Sequence, residues 1–151
     1  MAKYEEIKQG TIFPAGVLNP YGEFFVGDTY LTNLVTSPDD KIGVGSVSFE
    51  PGSRNNWHIH HDGYQILLVT AGEGWYQEEG QPAQSLKAGE GWYQEEGQPA
   101  QSLKAGDTIV TKDGVRHCHG AKKDSWFEHI AITAGTPEWL EPVSDELYDA
   151  L

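Results

Sequence analysis

The chain has 151 residues, with eighteen glycines, eight prolines, one cysteine and a formal charge of −13 at pH 7. That length supports one domain with a real core, and so negative a charge excludes a phosphate-backbone partner such as nucleic acid. A single cysteine allows no internal disulfide, and no apolar stretch approaches the length needed to cross a membrane.

The opening MAKYEEIKQG is charged and lacks the apolar core of a secretory signal, so it reads as an arm on a cytoplasmic protein. Short apolar runs punctuated by turn formers then predict an all-β fold. Strands are expected at 23–26, 30–35, 42–49, 56–60 and 65–70. Further strands are expected at 75–78, 85–87 or their copies, 108–111, 116–119 and 126–133. Asp28, Pro38-Asp39-Asp40, Pro51-Gly52, Asp62-Gly63 and Asp113-Gly114 read as turns between them. One helix is expected, in the tail, with Ser144 as its N-cap, Asp145 and Glu146 in the first turn, and Leu147, Tyr148 and Leu151 after them. The whole chain, 1–151, reads as a single domain without a linker.

Residues 71–87, AGEGWYQEEGQPAQSLK, recur letter for letter at 88–104. Solenoid repeats diverge; seventeen consecutive identities mark a recent tandem duplication, a cloning event or an error in the sequence. Each copy reads as a β-hairpin, GWYQEEG and AQSLKAG about a Gln-Pro turn. The chain can thread copy one into the fold, or copy two, or pair the first strand of copy one with the second strand of copy two. The third threading keeps both junctions unchanged and puts the surplus near 80–97. A longer surface loop costs only about 0.6 kcal/mol per doubling. All histidines lie outside the repeat, so a site built on them is expected to survive it.

The six histidines fall at 58, 60 and 61, at 117 and 119, and at 129. Residues two apart on a strand share a face, so His58 and His60 can grip one metal ion, with Trp57 and Ile59 on the other side. Gln65 and His117 can complete the grip from neighbouring strands. A set of imidazoles and one amide oxygen suits Mn, Fe, Ni, Co or Zn. No carboxylate neutralises the cation, which makes it a stronger Lewis acid. His119 faces the same way as His117, and His129 shares a face with Phe127 and Ala131. Both are candidate general bases or partners of the ligands. His61 reads as solvated, Trp57 as core and Cys118 as a packed small hydrophobe. Arg54 is read either as an anion binder or as half of a surface ion pair.

Gly52, His58, His60, Gln65 and Gly72 follow the spacing of the first cupin motif, G-x5-H-x-H-x3,4-E-x6-G, with glutamine in place of glutamate. Gly106, Gly114 and His117 fit the second motif, G-x5-P-x-G-x2-H-x3-N, where Lys112 and Ala121 depart from it. The chain therefore resembles the cupins, which implies a double-stranded β-helix, a jelly-roll barrel, with a short C-terminal helix. VSFEPGSRNNWHIH, QILLVTAGEGW, HCHG, EHIAI and PEWLEPVSDELY are similar to small bacterial cupins. Those include manganese-dependent hydroxynitrile lyases and relatives of carboxymuconolactone decarboxylases. The resemblance implies metal ligands His58, His60, Gln65 and His117, catalytic histidines His119 and His129, a small-molecule substrate, and a homodimer or higher homo-oligomer. The gap between His60 and Gln65 is one residue longer than in those lyases. The leading expectation is a metal-dependent lyase, with manganese first among the metals. A metal-dependent dioxygenase and a non-catalytic binding cupin are the alternatives.

Overall fold

The computed structural model describes residues 12–14, 16–80, 84–87, 91–93, 101–103 and 106–151. Twelve strands follow in chain order: β1 (Val17–Leu18), β2 (Phe25–Val26), β3 (Thr29–Thr36), β4 (Ile42–Phe49), β5 (Arg54–Asn55), β6 (His58–Glu78), β7 (Gln84–Lys87), β8 (Gly91–Tyr93), β9 (Gln101–Leu103), β10 (Thr108–Thr111), β11 (His117–Ala121) and β12 (Phe127–Trp139). A single α-helix, α1 (Asp145–Asp149), follows them among the described residues. Ten of the strands form one curled sheet in the order β1-β3-β4-β12-β6-β11-β5-β2, with β10 and β7 also paired to β6. Among the described residues no helix is long and apolar enough to cross a membrane. The expected arm, 1–10, lies outside the described residues.

β6 organises the fold, and it merges three expected strands into one of 21 residues. The Asp62-Gly63 pair, read as a turn, is instead a bulge. Asp62 has φ 57°, and the pairing of β6 with β12 slips by one residue between Ala134 and Thr136. The backbones approach so closely there that a Cβ on Gly63 would lie 2.1 Å from the Ala134 carbonyl oxygen. A second slip, at Thr70, precedes Gly72, whose φ is 69°. Each bulge adds one residue and so reverses which side chains face inward. His58 and His60 point in on even numbers, Gln65, Leu67 and Val69 on odd, and Gly74 and Tyr76 on even again.

The inward side chains make a core of Phe49, Leu67, Val69, Tyr76, Ile109, Ala121 and Phe127. A second cluster, Trp57, Cys118, Val143 and Tyr148, fills the space under α1. Ser144 caps that helix as expected, its Oγ accepting from the Leu147 N–H at 3.2 Å. Arg54 is buried and clasps the tail. It donates to the Val143 carbonyl at 2.7 Å and to Asp145 at 2.5 Å, and lies 4.7 Å from the centre of the Tyr148 ring. It is thus spent on the helix and does not line the cavity described below. Glu23 and Phe24, expected to begin the strand at 23–26, lie instead in a 3-10 turn, Gly22–Phe24, before β2.

Copy one of the duplication supplies the hairpin that joins the main sheet. Gly74 pairs with Leu86, Trp75 with Ser85 and Tyr76 with Gln84. Copy two pairs with itself as β8 and β9 in the same register, Gly91 with Leu103, Trp92 with Ser102 and Tyr93 with Gln101. Among the described residues the first strand of copy one does not pair with the second strand of copy two; partners within one copy close a shorter loop. The Gln-Pro turns of both copies lie outside the described residues.

Candidate metal centre and active site

His58 and His60 stand at the start of β6, where the strand enters the barrel, and His117 opens β11 opposite His58. All three are buried, and one ring nitrogen from each falls within 4.8 Å of the other two. The bulge at Asp62 returns Gln65 to the same interior. Its Oε1 lies 3.4 Å from His117 Nε2 and 3.3 Å from His119 Nε2. Its Nε2 donates to Thr133 Oγ1 at 3.0 Å, which orients the amide with its oxygen toward the histidines.

Hydrogen bonds select the free nitrogens of the cluster. His58 Nδ1 donates to the Asn56 carbonyl at 2.9 Å, and His117 Nδ1 donates to the Val115 carbonyl at 3.0 Å. Each leaves Nε2 with its lone pair. Neither ring nitrogen of His60 makes a hydrogen bond of normal geometry among the described residues, although the Gln65 amide lies beside it. A buried polar atom left in this way is costly, and a cation would supply the missing partner. The donor set therefore fits a divalent metal.

His119 and His129 lie next to the cluster. His129 Nε2 is 3.1 Å from His119 Nδ1, and Asn55 holds the pair from above: its Oδ1 accepts the His119 backbone N–H at 2.9 Å. Asn55 Nδ2 also lies 3.0 Å from His119 Nε2. The structure thus gathers all six expected site residues, His58, His60, Gln65, His117, His119 and His129, into one cluster, and all but His117, whose ring lies 4.0 Å from that of His58, line one interior space. Asn55 and Thr133 belong with them, although neither carries a spacing signal in the sequence.

That space is a cavity of about 150 Å³. Phe25, Val47, Phe49, Ala131, Pro137 and Trp139 form its apolar wall; no carboxylate lines it. Trp139 stacks on His58 at 4.7 Å and on Phe24 at 4.9 Å. A dry cavity of roughly this volume holds a benzene ring. Glu128 faces away from it, accepting from Ser48 and Thr70 at 2.9 and 2.7 Å on the other side of β12, and burial raises its pKa. His61 is exposed and pairs with Glu138. Cys118 is buried with its thiol pushed up to about 12 by burial, so it is an inert packing residue, as expected.

Burial also holds the histidines neutral, the form that binds metal and accepts protons. It pushes His117 down to about 4 and His129 to about 3, and lowers His58, His60 and His119 as well. In the unfolded chain each titrates near 6.5. Between that value and about 4 the unfolded chain binds protons that the fold refuses. Stability of the metal-free protein is therefore full above pH 6.5 and falls as the pH drops toward 4, on the order of 1.4 kcal/mol per pH unit for each such histidine. Urea denaturation of metal-stripped protein across this range measures the slope; a flat profile contradicts it.

No family model matches the chain. It is 34% identical over 131 residues to the (R)-mandelonitrile lyase of Granulicella tundricola, which covers 83% of this chain and 86% of that protein. Among solved structures, a cupin-like protein from Thermotoga maritima superposes with a TM-score of 0.71 at 36% identity, covering 92% of this chain and 95% of the other. A second Thermotoga maritima structure, described as a predicted oxalate decarboxylase, shares the fold at TM-score 0.54 and 19% identity, covering 74% of this chain and 84% of the other.

Proposed function

The chain belongs to the small bacterial cupins, and from that premise we propose that it is a metal-dependent lyase that cleaves a carbon–carbon bond in a small hydroxy compound such as a hydroxynitrile. The observation that carries this reading is a neutral donor cluster and a hydrogen-bonded histidine pair opening on one apolar-walled cavity.

In this reading His58, His60, His117 and Gln65 hold the cation. An octahedral metal such as manganese or iron is favoured over zinc, because four protein donors leave room for substrate only where the coordination number exceeds four, and the resemblance to the manganese-dependent lyases puts manganese first. When bound, the metal supplies Lewis acidity toward the substrate oxygen or the departing anion. His119 accepts the hydroxyl proton at Nε2, and its Nδ1–H then donates to His129 Nε2, 3.1 Å away. The O–H electron pair becomes the second carbon–oxygen bond. The bond to the nitrile carbon breaks, and its electron pair leaves with cyanide. His119 returns the proton to cyanide, so the products are a carbonyl compound and hydrogen cyanide. Phe25, Phe49 and Trp139 pack the organic group and exclude water.

Metal-loaded protein is expected to release cyanide and benzaldehyde from mandelonitrile above the buffer rate; no release overturns the lyase reading. Oxygen uptake on enediols or phenols without cyanide release would favour the dioxygenase instead, and a tight ligand complex without turnover a binding role.

Thr133 anchors the amide of Gln65, so Thr133→Val frees that amide to rotate. We expect about a 10–100-fold loss of metal affinity, the usual cost of removing a partner behind a ligand. Competition with a chelator measures it. Unchanged affinity would show that the amide is held some other way.

A further inference from the structure

We infer that the place copy one occupies in the barrel is a docking site for either copy of the duplicated segment, and that the two copies exchange within one molecule. Every barrel group that receives copy one lies outside the repeat. Tyr76 is buried in the core, and its hydroxyl meets Thr111 Oγ1 at 2.8 Å. Lys122 Nζ lies 4.5 Å from the centre of the Trp75 ring and 3.3 Å from the Glu73 carboxylate. The pairing with β11 runs from Cys118–Gln77 to Ala121–Gly74, and Phe127 pairs with Gly72.

Copy two carries the same residues in the same order: Gly89, Glu90, Gly91, Trp92, Tyr93 and Gln94 stand where copy one has Gly72 to Gln77. Its hairpin already has the register of the docked one. If copy two docks, all these contacts are remade with Thr111, Lys122, β11 and Phe127. Connectivity does not oppose the exchange. With copy one docked, the additional length is the seventeen residues of copy two, 88–104; with copy two docked it is the seventeen residues of copy one, 71–87. The excursion has one length in both arrangements, so its loop entropy cancels and connectivity favours neither. Interconversion requires copy one to peel off the sheet, a sub-global opening.

Stability of Tyr76→Ala, Tyr93→Ala and the double variant tests this, by denaturant unfolding of the full chain. Emptying a core aromatic position without rescue lowers the folding constant about 150- to 5,000-fold. Exchange predicts that either single variant loses only a few-fold, because the intact copy docks, while the double variant loses the full amount. Fluorine NMR of fluorotryptophan-labelled protein, assigned with Trp75→Phe and Trp92→Phe, should give two signals each for Trp75 and Trp92. The inference is overturned if Tyr76→Ala alone falls as far as the double variant or fails to fold, or if each tryptophan gives one signal. Rescue that grows with protein concentration and brings dimers in size-exclusion would assign the docking to a neighbouring molecule and overturn exchange within the chain.

Discussion

His60→Ala is expected to strip the protein of its metal while leaving the barrel folded. His60 is the informative member of the cluster, because its ring makes no hydrogen bond of normal geometry among the described residues. Truncating His58 or His117 would also free the carbonyl of Asn56 or Val115. Truncating His60 removes a donor and breaks no such bond. The loss should exceed the about 10–100-fold that removal of an outer partner costs, taking the metal content to background. Elemental analysis of protein purified without chelator, with circular dichroism as the check on folding, reads the result. His61→Ala is the control: the next residue along, exposed and paired with Glu138, it should keep the metal. A folded His60→Ala protein with full metal content would remove the basis of the proposed ligand set.

The second large effect belongs to His119. As the proposed proton acceptor it should be worth about 10²–10⁴ in turnover, the usual range for a positioned general base. His119→Ala should lose that much cyanide release from mandelonitrile with metal content intact, which separates it from the ligand variants. His129→Ala should lose less, because His129 only receives the hydrogen bond from His119 Nδ1 in the proposed step. If His119→Ala keeps full turnover, the proton goes elsewhere and the histidine pair is packing.

Strand type and the gathering of histidines were legible in the sequence because both are local. Ile42–Phe49 and Thr108–Thr111 begin and end where their alternation and flanking turn residues place them. The two-residue spacing of His58 and His60 survives in three dimensions because a strand pleat is a local property. Gln65 is the instructive case. Its spacing from His60 puts it on the wrong face of a regular strand, and only the bulge at Asp62 brings it inside. Asp-Gly is a strong turn signal, but whether it turns the chain or merely kinks it depends on β12 lying alongside. Asn55 and Thr133 were invisible for the same reason: they reach the site through the packing of β5 and β12, which no single segment encodes. Arg54 was ambiguous until α1 was seen to fold back onto it.

The bulge in β6 works as a frame correction. A one-residue insertion in an unbulged strand would put every later side chain on the opposite face, moving Gln65, Leu67 and Val69 from interior to surface together. Here the added residue is absorbed within a single kink, and everything downstream resumes its phase. The length of this strand and the identity of its donors are thereby uncoupled. Insertions at this point can reshape the cavity rim without relocating the histidine cluster.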